Sequence, residues 1–328
     1  MNKKNFIDKK ILIIGGLGFI GSNLAIRLVS MGAKVTLVDS MLPQYGGNTA
    51  NIETIKNKCH INFSDIRDTY SLNYLVRDVD IIYSMAGQTS HIESMTDPMT
   101  DLDINCRCQL SILESCRKYN PDVKILYAST RQLYGRPKYL PVDEKHPTDP
   151  IDVNGINKLA AEKYYTLYFQ VYGIKCVSLR LTNSYGPRQH LRGNNQGFVG
   201  IFIRKAINHE KIYIFGDGKQ LRDFNYIDDV VDAFLLATNN PNIYGNVYNL
   251  GSNDHYSLLD FVKILQRYCK VEYELVPFPM EHKVIDIGDY YGDFSLFYKE
   301  TGWKPNVSLE DGLKQTVDYF KPRAKFYW

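Results

Sequence analysis

An α/β fold, a doubly wound parallel sheet with helices on both faces, is predicted by three features of the sequence. These are short apolar runs at intervals, helical periodicity between them, and a glycine turn directly after the first run. Ile11-Leu12-Ile13-Ile14 is continuous rather than alternating, as expected of a strand buried on both faces. After the turn Gly15-Gly16-Leu17-Gly18-Phe19-Ile20-Gly21, the apolar residues Leu24, Ile26, Leu28 and Val29 recur at helical spacing. Val35-Thr36-Leu37-Val38 forms the next strand and ends on Asp39. Further strands are expected at 61–63, 79–83, 123–127 and 176–181, with helices at 70–77, 99–119 and 155–172.

Past Leu181 the texture changes to the turn Asn183-Ser184-Tyr185-Gly186-Pro187 and a Gly/Asn-rich loop, followed by shorter mixed elements. The expected organisation is a nucleotide-binding domain over 1–182, joined by about 225–250, and a smaller mixed α/β substrate domain over 183–328. A cleft between them lies at the carboxyl ends of the strands, where open α/β sheets bind ligands.

Composition narrows the function classes. Across 328 residues, 39 basic side chains against 36 acidic ones leave a net charge of +3, which gives no footprint for nucleic acid or membrane. The six cysteines form no Cys-x-x-Cys pair or zinc-spaced cluster, so reduced thiols and no metal site are expected. No apolar run approaches a membrane span and no signal-like core precedes Gly15, so the expected location is cytoplasmic.

The glycine turn carries the strongest signal because of its context. Gly15, Gly18 and Gly21 follow a buried strand and open a helix, as a tight turn, close approach to a pyrophosphate and helix-on-strand packing require. The helix N-terminus then offers N–H groups and a positive dipole end to the phosphates. Asp39, closing the second strand, would accept hydrogen bonds from a ribose and repel a 2′-phosphate. The reading is a Rossmann-type site for NAD rather than NADP.

With Gly-Gly-Leu-Gly-Phe-Ile-Gly-Ser the chain resembles the extended short-chain dehydrogenase/reductases, the NAD-dependent nucleotide-sugar epimerase/dehydratase family. The resemblance continues through Asp65-Ile66-Arg67-Asp68 on the adenine side, Met85-Ala86-Gly87-Gln88, and Asn105 on the following helix. Ala128-Ser129-Thr130 with Tyr134-Gly135 is similar to the segment holding the catalytic Ser or Thr. Arg180-Leu181-Thr182-Asn183, Tyr185-Gly186-Pro187-Arg188 and 215–224 match stretches leading to the sugar-nucleotide site. Segments around Gly87, at Gln196-Gly197-Phe198-Val199-Gly200 and at 218–223 are also similar to CDP-tyvelose 2-epimerase, which keeps a tyrosine this chain lacks.

The resemblance implies an NAD cofactor held by Gly15, Gly18, Phe19, Ile20, Gly21, Asp39, Asp65, Ile66, Met85, Ala86, Gly87, Asn105, Ser129 and Lys158. It implies a nucleotide sugar bound by Asn183, Arg188, Gln196 and Arg222, with Thr130 on the reacting hydroxyl. It further implies a homodimer through the helices near 99–119 and 155–172.

Three departures qualify the chemistry. The family oxidises a sugar hydroxyl with a Tyr-x-x-x-Lys pair, in which Lys lowers the Tyr pKa so that the phenolate takes the proton. Here Asn154-Gly155-Ile156-Asn157-Lys158 keeps the lysine, but asparagine cannot act as a base. Three readings follow: another group serves as base, His91 before Glu93, or else Tyr134; the reaction is slow or partial; or catalysis is lost and the protein is a non-catalytic NAD or nucleotide-sugar binder. Thr130 is followed by Arg131-Gln132 instead of the Asp-Glu pair of the family's 4,6-dehydratases, which argues against 4,6-dehydration of the usual kind. Asp286 stands where the family has a second phosphate arginine, leaving a one-sided clamp unless Lys283, His282 or Arg188 compensates; Arg192 reads as a surface residue. The expected function is an NAD-dependent nucleotide-sugar epimerase or sugar dehydrogenase.

Overall fold

The computed structural model describes residues 3–193 and 197–328. The first half of the chain contributes β1 (Lys10–Ile14), β2 (Lys34–Val38), β3 (His60–Asn62), β4 (Ile81–Ser84), β5 (Lys124–Thr130) and β6 (Lys175–Leu181). The second half adds β7 (Asn183–Tyr185), β8 (Ile212–Phe215), β9 (Leu221–Tyr226), β10 (Val247–Asn249), β11 (His255–Ser257) and β12 (Tyr273–Val276). Helices of the first half are α1 (Phe19–Ser30), α2 (Thr69–Leu75), α3 (His91–Thr96), α4 (Pro98–Leu102), α5 (Cys108–Tyr119) and α6 (Val153–Tyr172). Those of the second are α7 (Phe198–Ile207), α8 (Ile227–Thr238), α9 (Leu258–Leu265), α10 (Met280–Val284), α11 (Ser295–Thr301) and α12 (Leu309–Phe320).

Seven strands form one parallel sheet in the order β10-β6-β5-β4-β1-β2-β3, a Rossmann-type arrangement. The winding reverses between β1 and β4, and such a reversal opens a crevice at the carboxyl ends of the strands. The continuous apolar character of β1 follows from burial on both faces. Ile11 and Ile13 pack in one layer with Leu24 and Leu28 of α1 and Phe234 of α8. Leu12 and Ile14 pack in the other with Leu72 of α2, Ile112 of α5 and Tyr165 of α6. Each such large side chain contributes roughly 1.5–3 kcal/mol when fully buried.

The helix expected over 99–119 is three consecutive pieces: α4, a π-helical turn at Asp103–Arg107, and α5. Asp97 caps α4 by accepting from Thr100 N at 3.2 Å, and Pro98 occupies the first turn, where a missing N–H costs nothing. The wider turn carries Asn105, and apolar periodicity holds no signal for an i→i+5 turn. Helix α6 begins two residues before its expected start because Asp152 accepts from Gly155 N at 2.6 Å.

Beyond β6 the chain builds a three-stranded sheet in the order β11-β9-β7 and a parallel pair, β8 with β12. Phe198, Phe202, Phe224 and Phe261 form an aromatic cluster that holds α7, β9 and α9 together. Helix α8 and strand β10 return to the large sheet, where β10 pairs with β6. Among the described residues, no helix is long and apolar enough to cross a membrane.

Candidate active site

A cavity of about 1020 Å³ runs along the carboxyl ends of the large sheet and into the second half of the chain. At one end is the glycine turn. Gly15 adopts φ +77°, and a Cβ there would lie 2.7 Å from Ala86 N, so only glycine lets the turn pass this close to the segment after β4. A Cβ on Gly21 would run into the Gly15 carbonyl oxygen, so α1 could not start where it does. Gly18 is the N-cap of α1 and no side chain caps that end, which leaves its first N–H groups for an anionic ligand. Phe19 and Ile20 line the same stretch.

Asp39 closes β2 beside this turn. Its Oδ2 accepts from Leu17 N at 3.0 Å and its Oδ1 from Met41 N at 2.9 Å, and each oxygen keeps lone-pair capacity for a ribose hydroxyl. Burial pushes its carboxyl up, against the pull of the two backbone N–H groups. Asp65 and Ile66 line the next stretch of wall, with the Asp65 carboxylate held below its usual range by Arg67, 2.6 Å away. Met85, Ala86 and Gly87 line the wall after β4. The shape fits a dinucleotide: glycines clear the backbone for a pyrophosphate, and a carboxylate waits at the end of the second strand.

The sheet's middle strands bring the candidate catalytic groups to the cavity wall. Thr130 ends β5, lines the cavity, and accepts from Gln132 N at 3.2 Å through its hydroxyl. Lys158 donates to the Ala128 carbonyl at 3.1 Å. Burial pushes its ammonium down to about 8, resisted by Asp101. A Cβ on Gly87 would stand 3.0 Å from Lys158 Nζ, so this glycine makes room for the ammonium at the cavity wall. Ser129 also borders the cavity, but its hydroxyl turns away to donate to Glu162 Oε2 at 2.8 Å.

Asn154 lines the cavity yet its amide points into a buried polar network. Its Nδ2 donates to the Gln88 carbonyl at 2.9 Å and to Asp101 Oδ2 at 3.1 Å. Asp101, fully buried, also accepts from Asn105 Nδ2 at 3.0 Å and Asn157 Nδ2 at 2.8 Å. Sequence reasoning missed Asp101, although it stands four residues before Asn105 on a helical pattern, a spacing that places both on one face. Asn105, expected at the cofactor, does not line the cavity. It sits one layer behind Gly87 and fixes the Gln88 carbonyl at 2.9 Å.

The candidate replacements for tyrosine separate clearly. His91 opens α3 and lines the cavity, its side chain about one-third exposed (34%). Its Nδ1 lies 3.0 Å from Oδ2 of the buried Asp152, with the N–H direction misaligned for a hydrogen bond. Burial alone would push the Asp152 carboxyl up, but His91, Gly155 N–H and the Gln132 amide together hold it below its ordinary value. Glu93 does not line the cavity; burial raises its carboxyl, helped by Asp97 and Asp101. Tyr134 is also off the cavity. Its hydroxyl donates to Asn249 Oδ1 at 2.8 Å and accepts from Arg180, and burial pushes it up to about 12.

In the second half, Asn183 and Arg222 line the cavity. Arg222 donates to the Leu221 carbonyl at 2.8 Å and faces Asp286 Oδ1 at 3.6 Å. Burial and the neighbouring Arg131 push it down to about 10. Arg188 is a correction: it lies outside the cavity, donating to the Asn51 carbonyl at 3.1 Å and Asn23 Oδ1 at 2.9 Å, with Tyr319 under its guanidinium. Its charge fastens the loop after β7 to α1. Gln196 lies outside the described residues. His282 lines the cavity and Lys283 does not. Arg131, read from the sequence only as the absence of a carboxylate, sits in the wall with its Nη2 on Asn183 Oδ1 at 3.0 Å.

Comparison with known proteins agrees with this geometry. A putative UDP-glucose 4-epimerase of Methanocaldococcus jannaschii is 35% identical over 315 residues, covering 95% of this chain and 98% of that one. A CDP-paratose 2-epimerase of Salmonella typhi is 30% identical over 338 aligned positions, covering 94% and 98%. The crystal structure of UDP-glucose 4-epimerase with UDP-glucose from Thermotoga maritima superposes with a TM-score of 0.88 at 32% identity, covering 96% and 99%. Residues 11–251 match the sequence model of the NAD dependent epimerase/dehydratase family. The chain belongs to the NAD dependent epimerase/dehydratase family, with NAD as its cofactor.

Proposed function

We propose that this protein is a nucleotide-sugar epimerase in which His91, with the Asp152 carboxylate beside it, carries the proton that tyrosine carries elsewhere in the family. The observation that carries the reading is His91 on the cavity wall with its Nδ1 3.0 Å from the buried Asp152 carboxylate, near an Asn154 that cannot ionise. NAD, when bound along Gly15 to Gly21 and Asp39, supplies the acceptor and then the donor of a hydride. Thr130 hydrogen-bonds the reacting ring hydroxyl, and His91 Nε2 accepts its proton as the carbon–hydrogen bond breaks. Asp152 offsets the imidazolium charge from its buried position, as a carboxylate behind a catalytic imidazole does. The buried ammonium of Lys158, which donates to the Ala128 carbonyl, would hold the cofactor's ribose hydroxyls and favour negative charge on the reacting oxygen. Reversal on the other face of the ring returns the proton from His91 and gives the epimer.

The relatives' names support the substrate class, since both are enzymes of nucleotide sugars. A homodimer through the helices near 99–119 and 155–172 belongs to the same reading, supported by exposed Met99 and Leu102 on the first stretch and Ile156, Leu167 and Val171 on the second. The test is to incubate purified, NAD-loaded protein with UDP-, CDP-, dTDP- and GDP-hexoses and follow sugar protons by NMR. A new epimer supports the reading. Binding of these sugars with no conversion by any of them sinks it and leaves a ligand-binding protein.

A further inference from the structure

The family clamp is broken at Asp286, which faces Arg222 at 3.6 Å and accepts from Gln220 Nε2 at 2.5 Å. Arg188, the arginine named above as a possible compensation, is committed to Asn51 and Asn23. Arg131 is differently placed. It follows Thr130 directly, so it shares a wall with the reacting hydroxyl's partner. Its Nη2 bonds the Asn183 side chain and its guanidinium lies over the Tyr290 ring, 5.4 Å from the centroid. Its Nε is buried without a hydrogen-bond partner. Among the described residues, no carboxylate stands within ion-pair distance of Arg131: Asp223 is engaged by Thr182 Oγ1 and Gly292 N, and Asp152 by His91. A guanidinium has five donors in a planar fork matched to two oxygens of one anion. A buried fork with one protein acceptor and an orphaned Nε is costly to the folded chain and is satisfied by an incoming anion.

We propose that Arg131 receives an anionic group of the substrate, acting with Arg222 as the second cation of the site in place of the arginine lost at Asp286. The ligand chemistry is a pair of anionic oxygens, which a sugar diphosphate and a sugar carboxylate both offer. This rests on the reading of the cavity as a nucleotide-sugar site. Asn183 accepts from one end of the guanidinium, and the Tyr290 ring lies 5.4 Å from it, in the wall of the cavity.

The test is equilibrium binding to the NAD-loaded protein, wild type against Arg131→Met, by calorimetry. The probes are UDP, CDP, dTDP and GDP, together with UDP-glucose and UDP-glucuronate. Loss of tenfold or more for nucleoside diphosphates and both sugars assigns the anion to the diphosphate. A loss confined to UDP-glucuronate assigns it to the carboxylate. In either case NAD affinity is unchanged, ligand-free Arg131→Met melts no lower than wild type, and Arg131→Lys recovers part of the affinity. Unchanged affinity for every probe overturns the proposal. So does a lower melting temperature with equal loss of NAD, which marks a structural arginine. If wild type itself binds none of the probes, the nucleotide-sugar reading falls first, and the two failures are told apart by the wild-type measurement alone.

Discussion

Asn154 donates its side-chain amide to Asp101 Oδ2 at 3.1 Å, and neither residue reaches solvent beyond the cavity wall. The position at which the family keeps a titrating phenol thus belongs, in this chain, to a buried network that also contains Asn105, Asn157 and Gln88. The substitution is built into the packing, because Asp101 supplies the acceptor that the three asparagines share. A buried carboxylate needs such donors, and losing one costs roughly 1–3 kcal/mol.

Restoring the family residue should therefore fail. Asn154→Tyr removes one of Asp101's donors and is expected to lower stability by about 1–3 kcal/mol without raising turnover. Chemical denaturation and the epimerase assay check this together. A variant that turns over faster than wild type points instead to catalysis lost by a single substitution.

Asp152→Asn keeps the cap on α6, since Asn caps helices as well as Asp. It removes the charge behind His91, 3.0 Å from Nδ1. The expected result is a fall in kcat of about 10²-fold or more with KM little changed, because the interaction acts when the imidazole becomes charged. A shift in the pH profile should accompany it. Equal losses in kcat and in cofactor affinity would mark Asp152 as purely structural.

Lys158 gives a pH-dependent stability signature. Burial lowers its ammonium from 10.5 to about 8, so below pH 8 both folded and unfolded chains carry the charge and the burial cost is fully present. As pH rises from 8 toward 10.5, the folded chain releases this proton first and stability rises. In NAD-free protein, Lys158→Met is expected to gain about 1–3 kcal/mol over wild type at pH 7. The gain should shrink as pH approaches 10, read from urea midpoints across the range. A gain that does not depend on pH would contradict the assignment.

Asp39 closes β2 at the cavity wall, where a ribose would meet its carboxylate. Asp39→Ala should weaken NAD binding by about 10–100-fold, the equivalent of hydrogen bonds to a charged group. It should also narrow the preference for NAD over NADP, because the charge facing a 2′-phosphate is gone. Titration of the apo-protein with both dinucleotides measures it. Unchanged NAD affinity would place the ribose elsewhere.

What the sequence made legible was local. Strand β1, the glycine turn, α1 and the strand ending on Asp39 are consecutive elements, so their pattern can be read from one stretch of chain. The misreadings came from long-range partners. Arg188 looks like a phosphate ligand by charge and position, but Asn23, 165 residues away, claims its guanidinium. Arg131 reads as a missing carboxylate until Asn183 and Tyr290 fold around it. His91 and Glu93 are two residues apart, and a helix turns about 200° over that step, so only one can face the cavity. Asp101 needed no alignment to be found, only attention to its spacing from Asn105. The π-helical turn at Asp103–Arg107 could not be read at all, because apolar periodicity does not distinguish it from α-helix.

The most direct test is the single-turnover rate of ring-hydroxyl oxidation by NAD-loaded His91→Gln, followed at 340 nm on the nucleotide sugar that wild type converts. Proton transfer by a positioned imidazole predicts a fall of about 10²–10⁴-fold with sugar-nucleotide affinity unchanged. A rate within about threefold of wild type would contradict it and return the proton to an unassigned group.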